Sequence, residues 1–256
     1  MKNRSLLVIA VLIIVSLACA GVGAEPTPTN TPEPPTVTPE PTETPTLVPT
    51  ATPNRTATVE ARATISANEI LTELDDVLGD TEIPYQNGQL VWKQNERFDI
   101  EMTGPESRYI EFAEDVVGRN FILKSDVTWN STGILVCGVI FRSEANIQEG
   151  RQYHFVFLRF SGAPAWAIEF FEFGYFKNSP TDIQYSSALN LNNKATNQFV
   201  LVAQGGEFNI YINKVRQGRF FDYSEQQKEG AFAFFAGQDS GEGSCEYEDS
   251  WVWELE

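Results

Sequence analysis

Charged residues interrupt several otherwise apolar stretches of this sequence, and they are the first candidates for chemistry. A charge in an apolar strand must reach solvent, a partner or a strand edge, because burying it alone costs free energy. If these side chains converge with a nearby aromatic ring on one concave sheet, they predict a groove that binds sugar hydroxyls. The alternative is that they form structural ion pairs or lie at exposed strand ends. The candidate residues are Arg142, Arg159, Glu169, Glu172 and Tyr175.

Carboxylate pairs that cleave glycosidic bonds need both groups on the same side of the substrate-binding face. Glu169 and Glu172 are three residues apart, so they point to opposite faces of a regular strand and cannot act as a local pair. Glu246 and Glu248 share a face, but they begin the closing strand, where solvated charges are the simpler interpretation. The sequence therefore designates no catalytic residue, and a partner carboxylate from a distant segment stays an alternative.

His154, the one histidine of the chain, opens the stretch HFVFLRF. A catalytic base of this type needs a nucleophile and an orienting group, and the sequence designates neither, so a structural or surface role is favoured. The acidic stretch DSGEGSCEYEDS lacks the spacing of an EF-hand, so the spacing does not support a calcium site. We predict neither a bound metal nor another cofactor.

One carboxylate lies in an unexpected position near the end of the chain. By strict alternation Asp249 shares a face with Tyr247, Trp251 and Trp253, three residues of the predicted core. A bulge near Ser244, or hydrogen bonds from a neighbouring turn, would explain this placement.

The elements that must position these residues are strands. From Gln89 onward apolar residues recur with period two, and Gly, Asn, Ser and Pro interrupt them about every ten residues, which predicts an antiparallel sandwich. The stretch FNIYINKVRQG predicts a hairpin that reverses at Asn213-Lys214. The predicted strands cover 89–94, 97–102, 108–113, 120–129, 134–142, 152–160, 165–173, 198–204, 207–213, 231–236 and 245–255.

One short helix is predicted ahead of these strands, within a connector that spans residues 55–84. Its apolar stripe is expected to dock on the sandwich, because its polar face lacks the Lys and Arg of a membrane-surface helix. Gly79 is a plausible stop. The stripe follows helical spacing and consists of Ile70, Leu74, Val77 and Leu78.

The amino terminus has the layout of a secretory signal over residues 1–24. Lys2 and Arg4 precede an apolar run from Leu6 to Val15, and small residues follow it. The run becomes rich in Gly and Ala before it reaches the roughly 20 apolar residues of a membrane span. We therefore expect the protein to leave the cytoplasm.

Cys19 follows Ser16-Leu17-Ala18, which resembles the lipobox of bacterial lipoproteins, where the cysteine becomes the lipidated first residue. The box usually carries Leu three places before the cysteine, where this chain has Ser16. We expect a lipoprotein of the cell envelope, anchored to the outer face of a membrane. Ordinary cleavage after Ala20 or Ala24 is the alternative.

Residues 25–54 contain ten Pro and ten Thr and offer almost nothing apolar to bury. This composition predicts a disordered, semi-rigid stalk rather than a folded unit. The formal net charge of −17 disfavours a nucleic-acid partner, because phosphate binding depends on clusters of Lys and Arg.

Two cysteines remain once Cys19 is assigned, namely Cys137 and Cys245. In an oxidising compartment they are expected to form a disulfide. Such a bond would close a loop of about a hundred residues and contribute roughly 4 to 5 kcal/mol in the chain-entropy model.

Two regions of the sequence resemble known strands. GGEFNIYINKVRQGRFFD, EGAFAFFAG and CEYEDSWVWELE resemble the closing strands of concanavalin A-like jelly rolls, and FILKSDVTWNSTGILVCGVIFRSE resembles their central pair. The likeness is to laminin G-like and 3-keto-disaccharide hydrolase-like domains and covers residues 85–256. It implies an all-β jelly-roll sandwich of two antiparallel sheets. Lys214 departs from it, because those domains tend to have Gly in this turn.

These observations lead to a prediction of function. We expect an extracellular or cell-surface carbohydrate-binding module that is non-catalytic and binds an extracellular polysaccharide or cell-wall glycan. One alternative is a glycoside hydrolase or 3-keto-disaccharide hydrolase-like enzyme, for which the resemblance offers no catalytic motif to carry over. The other is a structural or adhesive module that binds proteins.

Overall fold

The computed structural model describes residues 55–160 and 162–256. The predicted signal peptide, the lipid attachment at Cys19 and the Pro/Thr stalk lie outside the described residues. The helix and the strands that follow it belong to one compact unit. Within the described part of the chain, no helix is both long and apolar enough to cross a membrane.

Fifteen strands follow helix α1 (Arg55–Leu78) and a 3₁₀ turn (Tyr85–Asn87) among the described residues. The strands are β1 (Gln89–Lys93), β2 (Phe98–Thr103), β3 (Glu106–Glu111), β4 (Val117–Gly118), β5 (Phe121–Ser131), β6 (Leu135–Ser143), β7 (Gln152–Phe160), β8 (Ala163–Glu172), β9 (Tyr175–Asn178), β10 (Gln184–Tyr185), β11 (Ala195–Gln204), β12 (Glu207–Ile212), β13 (Val215–Phe221), β14 (Gly230–Gln238) and β15 (Glu242–Glu254).

The strands form two antiparallel sheets, which confirms the predicted all-β sandwich. Sheet I has seven strands in the order β1-β15-β5-β11-β12-β13, and β2 also pairs with β15. Sheet II has eight strands in the order β10-β8-β7-β6-β14-β3, with β4 on β14 and β9 on β8. The chain crosses repeatedly between the sheets, because β5, β11 to β13 and β15 lie in one and β6 to β8 and β14 in the other.

Every predicted strand overlaps an observed one, and the predicted hairpin supplies β12 and β13. The stretches at 134–142 and 152–160 are apolar on both faces, and they become β6 and β7 in the middle of sheet II. The sequence does not predict β4, β9 and β10. These strands are only two to four residues long, too short to show a period of two.

Alternating side chains fill the core between the sheets. In β5, Phe121, Leu123, Val127 and Trp129 are buried in this core, whereas the intervening residues point away from it. Burial of such side chains is the main favourable term in folding, at roughly 25 cal/mol per Å² of apolar surface.

The predicted disulfide between Cys137 and Cys245 is confirmed. The two Cα atoms lie 5.8 Å apart, and 108 positions of sequence separate the residues. Since Cys137 belongs to β6 and Cys245 to β15, the bond crosses the core and joins sheet II to sheet I.

Tyr247, two residues after Cys245, makes a second link across the core. Its hydroxyl accepts a hydrogen bond from the Gly138 N–H at 2.9 Å and donates one to the Phe235 carbonyl at 2.5 Å. The side chain is fully buried, and burial raises the pKa of Tyr247 well above its usual range. The hydroxyl therefore stays protonated and connects β15 to both β6 and β14.

A bulge in β15 changes the face on which its later residues lie. The register with β5 shifts just before Trp251, and Asp249 adopts a φ of 47° there. Tyr247 therefore points into the core between the sheets, whereas Trp251 and Trp253 lie on the outer face of sheet I. The predicted bulge exists, but it lies at Asp249 and not near Ser244.

Lys124 explains why a carboxylate lies at this bulge. The Lys124 ammonium is buried beneath helix α1, where its Nζ lies 2.5 Å from the Asp249 carboxylate and 3.3 Å from that of Asp126. A buried cation is tolerated when carboxylates pair with it, and here two of them do.

Helix α1 docks on the outer face of sheet I, as predicted. Its apolar stripe packs on the two tryptophans of β15 in a second hydrophobic cluster. The indole N–H of Trp251 donates to the Glu73 carboxylate at 3.0 Å, and that of Trp253 donates to the Tyr85 carbonyl at 2.9 Å. The members of this cluster include Ile70, Leu74, Leu78, Val200, Tyr211, Trp251 and Trp253.

The hairpin between β12 and β13 turns at Asn213 and Lys214. Both residues have positive φ, at 48° and 66°, so the connection is a two-residue type I′ turn and not a longer loop. The Asn213 side chain donates to the Ala188 carbonyl at 2.7 Å and accepts from the Gln198 N–H at 2.8 Å. Lys214 forms an ion pair with Asp76 of α1.

Removing the disulfide should destabilise the sandwich. We expect the Cys137→Ala/Cys245→Ala variant to lose about 2 to 5 kcal/mol of unfolding free energy, because its unfolded chain is no longer constrained. Urea unfolding with and without reductant measures this loss. Reductant should lower the stability of the parent protein and leave the double variant unchanged. Equal stability of the two proteins without reductant would contradict the prediction.

The helix should unfold together with the sandwich. Leu74 is buried on the side of α1 that packs on sheet I, so Leu74→Ala should lower the unfolding free energy by about 2 to 5 kcal/mol. Ile65 is 58% exposed on the same helix, and Ile65→Ala should change the unfolding free energy by less than about 0.5 kcal/mol. Two separate transitions in Leu74→Ala, with an unchanged midpoint for the strands, would mean that the helix folds independently.

Candidate functional site

The outer face of sheet II is the candidate binding surface, because helix α1 lies on the outer face of sheet I. In β7, Tyr153, Phe155 and Phe157 are buried in the core between the sheets. Alternation therefore places His154 and Val156 on the outer face of sheet II. The cross-strand register extends this assignment to the neighbouring strands.

A strip of buried residues crosses the middle of this face. Gly138 of β6, Val156 of β7 and Ala167 of β8 pair side by side, and Phe235 of β14 pairs with Gly138. A Cβ atom added at Gly138 would lie 2.1 Å from the Phe155 carbonyl oxygen, so this position requires glycine. Glycine within a strand is typical of places where a ligand or another backbone approaches closely.

Aromatic side chains border this strip along β8. Phe171 pairs with Phe176 of β9, and the two ring centroids lie 6.0 Å apart. Tyr185 of β10 pairs with Ala165 further along the same strand. Phe176 is 55% exposed and Tyr185 is 69% exposed. Six positions separate Phe171 from Ala165, so the two aromatic groups lie about 20 Å apart at about 3.3 Å per residue.

Glu169 lies between these aromatic groups on the same face of β8. It makes no hydrogen bond or ion pair with another described residue. Burial raises the pKa of Glu169 above its ordinary value. A carboxylate without protein partners can accept hydrogen bonds from the hydroxyl groups of a ligand.

His154 pairs with Glu169 across β7 and β8. Its ring stacks on Phe171, with centroids 4.2 Å apart, and its edge meets Phe235 at 4.8 Å. Burial lowers the pKa of His154 to about 3, so the imidazole is neutral at physiological pH. The residue thus contributes an aromatic surface and not a positive charge.

One ring nitrogen of His154 has a hydrogen-bond partner. The Gln152 amide nitrogen lies 3.0 Å from His154 Nε2. Nδ1 is buried without a hydrogen-bond partner among the described residues.

Arg142, a predicted groove residue, lies between the sheets and not on this face. Its side chain is 1% exposed, and its backbone has a φ of 50°. The guanidinium donates to the carbonyl of Arg119 at 3.1 Å and to that of Gly205 at 2.8 Å. Burial lowers the pKa of Arg142 to about 10, so it stays charged and joins the ends of the two sheets.

Arg159 lies at the other end of sheet II and also points away from the outer face. Its Nη1 donates to the Ser131 carbonyl of β5 at 3.0 Å and to the Asn193 side chain. The two arginines are thus structural, and the predicted convergence of the five candidates does not occur. The two arginines cannot converge on one site, because Arg142 lies beside the Tyr153 end of β7 and Arg159 lies about 20 Å away at the other end.

Glu172 and Tyr175 lie on the opposite face of the β8–β9 hairpin from Glu169. They pair with each other across the hairpin, and Glu172 forms an ion pair with Lys177 at 3.2 Å. Tyr175 is 73% exposed. The structure therefore places only Glu169 of the five predicted residues on the outer face of sheet II.

The sequence reasoning missed three residues of this face: His154 as a face residue, Phe176 and Tyr185. For His154 a signal existed, since alternation in HFVFLRF puts it opposite the buried phenylalanines. Phe176 and Tyr185 belong to strands of four and two residues, which give no periodic signal.

The acidic residues of the closing strand do not gather at a site. Glu246 forms an ion pair with Arg97 at 3.4 Å, and Glu248 is exposed. Across residues 55–160 and 162–256, no group of three His, Cys, Asp or Glu side chains could hold a metal ion.

Comparison with known proteins gives similarity in structure but not in sequence family. No protein-family model matches the chain, and no curated protein matches it. The carbohydrate-binding module CBM66 from Bacillus subtilis is 15% identical with a TM-score of 0.46, over 59% of this chain and 84% of that one. The β-glucanase of Bacillus licheniformis is 8% identical with a TM-score of 0.43, over 62% and 79%. Sheep galectin-11 is 11% identical with a TM-score of 0.36, over 56% and 98%.

The buried histidine should make stability depend on pH. Because the pKa of His154 falls from about 6.5 in the unfolded chain to about 3 in the folded protein, the unfolded state binds more protons between these values. Stability is therefore lost as the pH falls below about 6.5, by up to about 2 kcal/mol at pH 5 from this residue.

His154→Phe keeps an aromatic ring between Phe171 and Phe235 and removes this titration. The unfolding free energies of the variant and the parent protein are measured at pH 7.5 and at pH 5. Between these pH values the parent protein should lose up to about 2 kcal/mol more unfolding free energy than the variant. Parallel pH profiles for the two proteins would show that His154 titrates normally in the folded state.

Proposed function

We propose that the outer face of sheet II binds carbohydrate and that the chain is a non-catalytic carbohydrate-binding module. The observation that carries this proposal is the exposure of two aromatic rings, Phe176 and Tyr185, on the face that presents the unpaired carboxylate of Glu169. Aromatic faces cover the apolar C–H surface of a sugar ring. A carboxylate accepts charge-assisted hydrogen bonds from the adjoining hydroxyls.

The dimensions of the face favour an oligosaccharide over a single sugar. Phe176 and Tyr185 are separated by about 20 Å along β8. A chain of sugar rings could contact both aromatic groups, whereas one ring could contact only one.

A binding role agrees better with this arrangement than a hydrolytic one. Glycosidases hold two carboxylates on the reacting face, about 5 to 10 Å apart. Glu169 faces His154 across the strand pair, and the next acidic residue of β8, Glu172, lies on the other face and pairs with Lys177. The imidazole of His154 is a poor base, because burial lowers its pKa to about 3.

We also propose that the glycan is met outside the cell. The signal-like residues 1–24, the lipobox-like Cys19 and the Pro/Thr-rich residues 25–54 support export, attachment to a membrane and presentation at a distance from it. An extracellular polysaccharide or a cell-wall glycan would be the corresponding partner.

Substitutions on the face test the proposal. A glycan array should first identify a bound oligosaccharide, and calorimetry should then measure its affinity for variants. Phe176→Ala and Tyr185→Ala should each weaken binding at least about fivefold, because an aromatic contact contributes about 1 kcal/mol or more. Glu169→Gln should weaken it about tenfold, because a charge-assisted hydrogen bond contributes about 1.5 kcal/mol or more.

Tyr175→Ala is the matched control, because Tyr175 is exposed on the opposite face of the same short strand. It should leave affinity unchanged. Loss of binding in Tyr175→Ala but not in Phe176→Ala would show that the ligand binds the opposite face of the hairpin and not the proposed one. Failure to bind any glycan would reject the proposal in favour of a protein-binding module, and turnover of a disaccharide would favour the hydrolase.

A further inference from the structure

A cleft lies on the opposite side of the sandwich, on the outer face of sheet I. It has a volume of about 370 Å³ and lies between the connector that follows α1 and strands β12 and β13, of which β13 is the edge strand. Polar side chains line most of it. The residues used below are Tyr211, Arg216, Asn209, Glu207, Arg219 and the connector residues Asp80 and Glu82.

Tyr211 brings an unpaired hydroxyl to this cleft. The side chain is 3% exposed, and its hydroxyl is buried without a hydrogen-bond partner among the described residues. Burial raises the pKa of Tyr211, so the hydroxyl stays protonated and can donate. A buried polar group without a partner destabilises the protein, which is a common sign of a missing ligand or ordered water.

Arg216 lies opposite Tyr211 across β12 and β13. Its Nη2 donates to the Asn209 side chain at 3.2 Å, and it forms no ion pair with any described residue. The other N–H groups of this guanidinium remain for a ligand. The Tyr211 hydroxyl and the Arg216 guanidinium thus present hydrogen-bond donors to the same cleft.

Glu207, one of three carboxylates that line the cleft, is already paired. Glu207 forms an ion pair with Arg219 and accepts a hydrogen bond from Asn209 Nδ2 at 2.7 Å. Burial alone would raise the pKa of Glu207, but the bonds from Arg219 and Asn209 outweigh it and lower that pKa. Glu207 therefore stays ionised and paired, which leaves Arg216 as the cationic group of the cleft without an ion pair among the described residues.

An aromatic ledge adjoins the cleft. Phe221 pairs with Glu207 in the β12–β13 ladder, so it lies on the same face of sheet I. Its ring stacks on Tyr223 with centroids 5.7 Å apart, and the Arg219 guanidinium lies 4.9 Å from its centroid. Phe221 is 40% exposed and Tyr223 is 91% exposed. An apolar surface for a ring therefore lies next to a donor-rich cavity.

We propose that this cleft is a second binding site, which takes the carboxylate of an acidic sugar residue between Arg216 and Tyr211 and a neighbouring sugar ring of the same glycan on Phe221, four positions or about 13 Å further along β12. An arginine fork matches the two oxygens of a carboxylate, and the tyrosine hydroxyl supplies a further donor. Asp80 and Glu82 are exposed and also line the cleft, so a densely charged polyanion is repelled while a single carboxylate can enter.

This inference goes beyond the function proposed above, because the site lies on the other sheet and has other chemistry. It would make the chain bivalent, with one face for a glycan chain and one cleft for an acidic residue. Binding at two sites raises the overall affinity for a polymer that can reach both of them.

Calorimetry of the full chain with a glucuronic acid-terminated disaccharide tests the site, with the matched glucose disaccharide as the neutral probe. The parent protein should bind the acidic disaccharide at least about tenfold more tightly than the neutral one. Arg216→Gln should remove this preference. Tyr211→Phe should weaken acid binding severalfold and raise the thermal midpoint of the free protein, because it removes the unpaired hydroxyl.

Lys228→Gln is the charge-matched control, because Lys228 is exposed outside the cleft and pairs with Glu225 at 3.4 Å. It should leave the preference intact, and so should Phe176→Ala on sheet II. Equal affinity for the two disaccharides, or an unchanged preference in Arg216→Gln, would overturn the second site. Loss of the preference in Phe176→Ala would instead assign the acidic sugar to sheet II.

Discussion

The disulfide between Cys137 and Cys245 and the adjacent hydroxyl of Tyr247 couple the two sheets, and the rest of the structure depends on this connection. Both links start from β15, which also pairs with β1, β2 and β5. Trp251 follows Tyr247 by four residues and lies beyond the bulge, so its side chain is on the other face of the sheet. There it packs against helix α1. One strand therefore contacts sheet II, the neighbours in its own sheet and the helix layer.

Much of the buried polar chemistry of this protein serves the same purpose. Arg142 donates hydrogen bonds to carbonyl groups at one end of the sandwich, and Arg159 does so at the other. The Tyr153 hydroxyl donates to the Asp222 carboxylate at 2.6 Å and joins sheet II to the loop after β13. Such groups are costly to bury unless they are paired. Their pairing with backbone and side chains leaves them unavailable for a ligand, which is why prominent charges in apolar strands were poor indicators of a site.

The helix layer decides where ligands can bind. Helix α1 covers the outer face of sheet I around Trp251 and Trp253, and at the β12–β13 side of that face the connector forms a wall of the second cleft. The outer face of sheet II has no helix over it among the described residues. The two proposed sites differ accordingly: one is a long aromatic face with a single carboxylate, and the other is a compact, donor-rich cavity beside an aromatic ledge.

The amino-acid sequence by itself determined the sandwich, the helix, the Asn213-Lys214 hairpin and the pairing of the two cysteines. These follow from local spacing, from turn chemistry and from having two cysteines left to pair. Which face a side chain occupies was decided only by the tertiary structure. A bulge at Asp249 reverses the alternation of β15, and the positive φ of Arg142 turns its side chain between the sheets. Phe176 and Tyr185 belong to β9 and β10, which pair with β8. These strands are too short to show a periodic pattern in the sequence.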